Sequence, residues 1–267
     1  VHQLVGPPFS DTLVRRLRDA RRVAVLTGAG ISAESGVPTF RDPEGLWQRF
    51  SPQELANVEA FLANPELVQG WYAHRRAVVE EVQPNAGHRA LAALERWVTA
   101  RGGDFLLATQ NVDGLHARAG SEHLVELHGS LLRSHCIDCG TEASDTADGH
   151  GPLTCEACGG LVRPDVVWFG EMLPEDAFGE AEQAAAMADV YLSVGTSAVV
   201  YPAAGLPQLA RQVGAYVAEI NPTPSDIAPL LNEVVQGKAG EVLPLLVASL
   251  RGESGIRSQE SREDERG

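Results

Sequence analysis

The sequence predicts an α/β protein, a doubly wound parallel sheet with two segments of different character inserted into it. Three observations carry that expectation. Short apolar runs alternate with helical stretches along most of the 267 residues. The first run, "RRVAVLTGAG" (21–30), ends in a glycine turn, as a buried parallel strand entering a phosphate loop does. Two stretches, about 42–84 and 131–162, break the alternation and read as insertions.

The remaining strands are expected at "DFLLAT" (104–109), "HLVELH" (123–128), "DVYLSVG" (189–195) and "AYVAEI" (215–220). Helices are expected at "HRALAALERWV" (88–98) and between Ala203 and Val213. The sheet domain is then discontinuous, made of residues 10–41, 85–130 and 163–250, with a tail at 251–267. That tail holds four Arg and five acids with a single Ile, a composition expected to be disordered.

The first insertion contains a helix that begins at Asn64, a good N-cap, with Pro65 at the first helical position. Val68, Tyr72, Arg75 and Val79 fall at i, i+4, i+7 and i+11, and Leu67, Trp71, Val78 and Val82 widen that apolar face. Gln69, Ala73, Arg76 and Glu80 form the opposite stripe, which places Arg76 in water beside Glu80. Arg75 therefore stands where a leucine is expected, with no carboxylate on its own stripe. Buried arginines need a partner. An acid elsewhere in the fold, with Tyr72 in the core, is one answer; an anionic ligand is the other.

The second insertion holds all four cysteines. Cys136-x2-Cys139 and Cys155-x2-Cys158, fifteen residues apart, have the spacing of a zinc ribbon. Four thiolates close a tetrahedral sphere and leave no open position, so the expected ion is a single structural zinc. Redox pairs or disulfides compete with this reading, less well in an intracellular chain.

Charge narrows the function classes. The formal net charge is −15, of which the tail contributes −1, so the acidity belongs to the folded body. Nucleic acid and anionic membranes call for basic surface, and neither is expected as a partner. The sequence shows no apolar run of roughly 18 residues and no signal-peptide pattern. A cytoplasmic monomer is expected.

Gly28-Ala29-Gly30-Ile31-Ser32-Ala33 fits G-x-G-x-x-A directly after a strand, as a dinucleotide pyrophosphate site requires. The acidic residue of a standard dehydrogenase, about 20 residues further on, is missing. Polar clusters also close other strands: Gln110, Asn111 and Asp113; Gly195, Thr196 and Ser197; Asn221. Such residues are ordinary turn formers, yet ligands of open α/β sheets bind at these carboxyl ends. Among eight histidines, His128 ends a strand at the same edge, with His116 and His123 as rivals for a base and His135 as a spare metal ligand.

Taken together, "GAGISAESGVPTFRDPEGLW", "TQNVDGLH", "LHGS", the cysteine pairs, "RPDVVWFGE", "VGTSAVVYPA" and "EINPTPSD" resemble the sirtuin family in content and order, from about Val23 to about Pro244. The resemblance implies a Rossmann-type domain plus a small zinc domain, and NAD-dependent deacylation of protein lysines. It implies NAD contacts at Gly28, Ala29, Gly30, Ser32, Ala33, Phe40, Arg41, Trp47, Gln110, Asn111 and Asp113. Gly195, Thr196, Ser197 and Asn221 would hold the adenosine half, with Ala239 near the adenine. His128 would be the base, and Asn111 and Asp113 would assist nicotinamide departure. Lysine, nicotinamide and 2′-O-acyl-ADP-ribose would be the products. Val167, Trp168, Phe169, Gly170 and Glu171 would pair with substrate peptide as an added strand. Many relatives carry Asp where this chain has Thr39. Tyr72 and Arg75 match the Tyr-x-x-Arg of the branch acting on succinyl-, malonyl- and glutaryl-lysine, so the distal acyl carboxylate would be the anion that Arg75 meets. A plain deacetylase, an ADP-ribosyltransferase and a non-catalytic NAD or ADP-ribose sensor are the alternatives.

Overall fold

Residues 6–37, 55–143 and 151–252 are described by the structure, a computed structural model. Phe40, Arg41, Trp47, Thr39 and the tail from residue 253 lie outside the described residues. The elements follow the predicted rhythm. They are α1 (Asp11–Asp19), β1 (Arg22–Thr27), α2 (Ala29–Ser32), α3 (Val58–Ala63), α4 (Pro65–Glu81), α5 (Ala86–Thr99), β2 (Asp104–Thr109), α6 (Leu115–Arg118) and β3 (Leu124–Glu126). Then come β4 (Gly129–Cys136), β5 (Val162–Val166), α7 (Glu175–Met187), β6 (Val190–Val194), α8 (Leu206–Gln212), β7 (Tyr216–Asn221), β8 (Glu233–Gln236) and α9 (Ala239–Arg251). Among the described residues no helix is long and apolar enough to cross a membrane.

Six strands form one sheet in the order β3-β2-β1-β6-β7-β8, parallel throughout. Strand order runs outward in both directions from the β1–β6 pair, so the topological switch point lies between their carboxyl ends. Both faces are covered. Leu13, Leu17, Leu91, Leu94, Val242 and Leu246 of α1, α5 and α9 pack on one side. Ala181, Ala185, Leu206 and Ala210 of α7 and α8 pack on the other. Burial on both faces explains why β1 reads "VAVL" without alternation. The expected helix over 203–213 is a 3-10 turn at Ala203–Gly205 running into α8, with Pro207 in its first turn.

The second sheet is a two-stranded antiparallel ribbon, β4 with β5, continued by isolated bridges His135–Glu142 and Thr154–Leu161. Its strands reach Gly129 on one side and Val166 on the other. Gly129 has φ +76°, and a Cβ there would fall 2.0 Å from the Asp165 carbonyl oxygen, so the strand can cross only as glycine.

Helix α4 forms as its caps dictate: the Asn64 side chain accepts from Leu67 N at 3.2 Å, and Pro65 follows. Its burial departs from the predicted stripes. Leu67 is exposed, whereas Gln69 is buried and Arg76 half-buried. Two members of the stripe expected opposite the core, Gln69 and Arg76, hold the ribbon instead, while Ala73 and Glu80 are exposed. Arg76 donates to the Leu131 carbonyl and, at 3.1 Å, to Ser134 Oγ. A count of apolar residues missed this because the ribbon offers polar backbone at that seam, and polar side chains match it.

Candidate active site and metal centre

At the switch point, the strand ends carry a buried polar floor. Ser32 Oγ donates to Asp113 at 2.7 Å, and Asn111 Nδ2 donates to Ser32 Oγ and to the Gly28 carbonyl, both at 3.1 Å. Leu115 N–H holds the other Asp113 oxygen at 2.9 Å. Beneath them Thr27 bonds Thr109 at 2.8 Å and lies 2.9 Å from His116 Nε2. The His116 ring packs 4.8 Å from that of His88, whose Nε2 is 3.3 Å from Ser32 Oγ. Burial sets the charges here. It raises the Asp113 carboxyl above the ordinary range and drives His88 down to about 4 and His116 to about 3. Both imidazoles are neutral at pH 7, but His116, protonated only near pH 3 and buried beneath the floor, is a weak base. Its Nδ1 is buried with no hydrogen-bond partner among the described residues.

His128 stands in the turn between β3 of the large sheet and β4 of the ribbon. Its Nδ1 lies 2.9 Å from the Gln110 carbonyl oxygen, which can only accept, so Nδ1 carries the proton. Nε2 is left as a base with a lone pair. Burial lowers its pKa, so the neutral form prevails at pH 7. His123, by contrast, is exposed and bonded to Glu95 at 2.7 Å, and His135 lies 3.5 Å from Asp165.

The glycine loop also joins two strand ends. Gly28 N–H donates to the Val194 carbonyl and Gly30 N–H to the Gly195 carbonyl, at 3.0 and 2.8 Å. A Cβ on Gly30 would lie 2.7 Å from that same oxygen. These glycines therefore let the β1 and β6 loops close on each other, and their N–H groups are already occupied. The following helix, Ala29–Ser32, is a single turn, and Ala33 is exposed. Gln110 Nε2 donates to Thr196 Oγ1 at 3.1 Å, and Asn221 Nδ2 to the Thr196 carbonyl at 3.0 Å. Ser197 beside them is half-buried. Ala239 is buried at the start of α9, where Gly240 N–H is held by Glu34 at 2.9 Å. The strand ends thus bring together Gly28–Ser32, Gln110–Asp113, Gly195–Ser197 and Asn221 around the switch point, a set that suits a dinucleotide lying across it.

On α4, Tyr72 is buried and its Oη accepts from Trp168 Nε1 at 2.8 Å. Arg75 lies on aromatic faces, 4.7 Å from the Trp71 ring and 5.6 Å from the Tyr72 ring. Burial lowers the Arg75 pKa, and the Tyr72 phenol, itself raised by burial, opposes that shift. Trp168 is clamped between Phe61, at 5.2 Å, and the guanidinium of Arg163, at 3.6 Å. The segment after β5 is a turn, not a strand with a free edge. Val167 N–H donates to the His128 carbonyl, Trp168 N–H to the Glu171 carboxylate and Phe169 N–H to the Ala56 carbonyl. Glu171 also forms a two-point ion pair with Arg163 at 2.6 and 2.8 Å, so its carboxylate braces the turn. Phe169 is half-exposed and Gly170, at φ +89°, lies at the turn's exposed tip.

The four thiols converge. Their sulfurs lie within 4.8 Å of one another, with Cys136–Cys158 at 3.5 Å and Cys139–Cys155 at 3.7 Å. A tetrahedral ion with bonds of about 2.3 Å needs sulfurs about 3.8 Å apart, so the set fits one zinc. His135 is not in the group.

A family model described as the Sir2 family matches residues 28–202. The chain belongs to that family. An NAD-dependent protein deacylase of Thermus thermophilus is 54% identical over 233 residues, covering 87% of this chain and 92% of the relative. The crystal structure of a Sir2 homolog–NAD complex superposes with TM-score 0.86 at 44% identity, covering 94% and 98% of the two chains. A Sir2 variant solved with a deacetylated p53 peptide and 3′-O-acetyl ADP-ribose gives TM-score 0.77 at 30% identity, over 92% and 98%.

In this Sir2 chain the sequence reasoning missed His88, Gln69, Arg163 and Arg118. His88 was open to detection, because Asn85-x-x-His88 is a capping pair: the Asn85 side chain caps α5 and His88 Nδ1 accepts from Asn85 N–H. Arg118 caps the other end of α4 through the Val79 and Val82 carbonyls, at 3.0 and 2.7 Å, a contact no local pattern announces.

Proposed function

We propose that this chain is an NAD-dependent protein lysine deacylase that prefers acyl groups ending in a carboxylate. The observation that carries the activity is the fixed tautomer of His128: a neutral imidazole, with Nδ1 held by Gln110, at the junction of the two sheets. The names of the Thermus relative and of the Sir2–NAD complex support the co-substrate. NAD, when bound, supplies the ADP-ribose that accepts the acyl group and the nicotinamide that leaves. The residues of the chain do the rest. Ser32, Asn111 and Asp113 form a preorganised polar wall that would stand beside the leaving nicotinamide, with Asp113 anchored by Ser32 and Leu115. His128 takes a proton from a ribose hydroxyl at Nε2. The partner is then an acylated lysine of a protein, met from the Phe169–Gly170 turn.

The acyl preference rests on continuity between the base and the α4 pocket. Val167 N–H bonds the His128 carbonyl, and the next residue, Trp168, bonds Tyr72 Oη. Tyr72 and Arg75 share a helix face. A carboxylate delivered there meets a guanidinium whose charge burial disfavours, so the pair gains from each other. The test is a panel of lysine peptides carrying acetyl, malonyl, succinyl and glutaryl groups, each with NAD, read by mass spectrometry. Faster loss of the acidic groups, with 2′-O-acyl-ADP-ribose formed, is expected. Fastest loss of acetyl would keep the deacylase and remove the preference. ADP-ribose appearing on protein, or nicotinamide never released, would replace the deacylase with a transferase or a sensor.

A further inference from the structure

The acyl-binding helix and the cysteine ribbon meet along one stripe of α4. Gln69, Tyr72, Ala73 and Arg76 fall at i, i+3, i+4 and i+7, and all line the cleft against Ser134, Val162 and their neighbours. Gln69 is buried and uses both ends of its amide. Nε2 donates to the Leu153 and Val162 carbonyls at 3.0 and 2.7 Å, and Oε1 accepts from Leu153 N–H at 2.8 Å. Leu153 and Val162 bond each other and bracket the knuckle of Cys155 and Cys158. Arg76, two turns further on, holds Leu131 and Ser134 of β4, the strand that ends at Cys136. Tyr72 lies between these two grips. The side chains facing the ribbon and those facing the acyl group thus share one rigid helix, so neither set can shift without the other.

We propose that Gln69 and Arg76 are positioning residues through which the metal-bound ribbon sets the acyl pocket, making acyl recognition and metal retention thermodynamically linked. Linkage is reciprocal: if the ribbon helps Tyr72 and Arg75 bind an acyl group, a bound acyl group must help the ribbon keep its ion. The inference rests on the acyl pocket proposed above.

Two measurements on the zinc-loaded protein test it. The first is steady-state deacylation. Gln69→Leu should raise KM for a succinyl-lysine peptide about fivefold or more, the worth of roughly one hydrogen bond in positioning, while kcat at saturating peptide and KM for NAD hold within about twofold. The second is zinc release to a colorimetric chelator, without NAD, with and without that peptide. Peptide should slow release from the wild type and not from Gln69→Leu. Arg76 gives an independent pair if Gln69→Leu does not fold: Arg76→Met should lose the slowing, and Arg76→Lys, which can still reach the Leu131 carbonyl, should restore part of it. Equal zinc release with and without peptide in the wild type overturns the inference, as does a fall in kcat for every acyl group without a KM split. Arg75→Met in the same assays separates the two readings. If it raises the succinyl KM while the Gln69 and Arg76 variants do not, the linkage alone fails; if none of the three does, the acyl pocket fails with it.

Discussion

The polar floor at the switch point and the seam between α4 and the ribbon are both buried, and both are polar, but they are built differently. On the floor, side chains bond side chains from consecutive strand ends: Ser32 with Asp113, Asn111 with Ser32, Thr27 with Thr109. Along the seam, side chains bond the backbone of a distant segment: Gln69 to Leu153 and Val162, and Arg76 to Leu131. The first arrangement fixes chemical groups relative to one another. The second fixes whole elements relative to one another. Chemistry should therefore be fragile to single atoms on the floor, and specificity fragile to anything that moves an element at the seam.

The largest effect should come from breaking the seam's far support. Cys155→Ser removes one of four thiolates and with it the closed sphere, so the ribbon should open rather than the chemistry slow selectively. A loss of several kcal/mol corresponds to a fall in Tm of about 10 °C for a domain this size. Elemental analysis should find less than one zinc per chain, and limited proteolysis should cut between residues 137 and 161. A variant with full zinc content and wild-type Tm would remove the metal from the account of the seam.

His128→Ala attacks the chemistry instead. It should cost on the order of 10²–10⁴ in rate, leave NAD binding largely intact and leave Tm within a few degrees. In the wild type the acid limb of kcat/KM should fall below pH 6.5, because burial lowers this imidazole from that value. Near-normal turnover by the variant would transfer the base elsewhere.

Acid should separate the two regions without a mutation. The unfolded chain protonates its histidines near 6.5, whereas folded His88 and His116 resist until about 4 and about 3. Between those values the unfolded state binds more protons, so stability falls as pH falls and levels off below about 3. From pH 6.5 to pH 5 the pair should cost about 3 kcal/mol. Glu171, lowered below 4.5 chiefly by Arg163 against the opposing effect of burial, stays ionised in that window. Hydrogen exchange should therefore rise first in β1, β2 and α6, and later in the turn after β5. Simultaneous loss of both would mean that the floor does not set the acid response.

The same contrast explains what the sequence disclosed. The floor comes from strand ends, and residues that end strands lie within short stretches such as "TQNVDGLH" and "VELHGS", so the positions of Asn111 and Asp113 on it, and of His128 at the same edge, were legible. The cysteine pairs were legible for the same reason. Gln69 and Arg76 were assigned to the stripe away from the core, and Arg76 to water, because periodicity ranks residues by polarity, and their partners are carbonyls more than fifty residues away. The ion pair by which Glu171 braces its turn was hidden, because the local motif says nothing of Arg163.

Arg75→Met tests the seam's specificity with less collateral damage. A charge-assisted contact worth about 1.5–3 kcal/mol corresponds to roughly 10–200-fold in kcat/KM. Desuccinylation should fall by that factor while deacetylation is spared or raised. Equal loss of both would make Arg75 a structural cation resting on Trp71 and Tyr72.

Tyr72→Phe should have the smallest effect on acyl choice, and it separates two uses of one hydroxyl. Tyr72 Oη accepts from Trp168 Nε1, which leaves its own proton to donate to an acyl carboxylate. Removing the oxygen should therefore weaken desuccinylation several-fold, less than Arg75→Met does, because a hydrogen bond is lost and no charge. It also leaves the Trp168 indole N–H buried and unpaired, at a cost of about 1–3 kcal/mol. Trp168→Phe removes that orphan donor, so the double variant should lose less stability than the two single losses add up to. Tm and both deacylase rates, measured on the three variants, decide the outcome. If Tyr72→Phe lowers Tm and slows both acyl groups equally, the phenol serves the core, and recognition of the acid falls to Arg75. If desuccinylation alone drops, with the Trp168 coupling intact, the hydroxyl serves both partners at once.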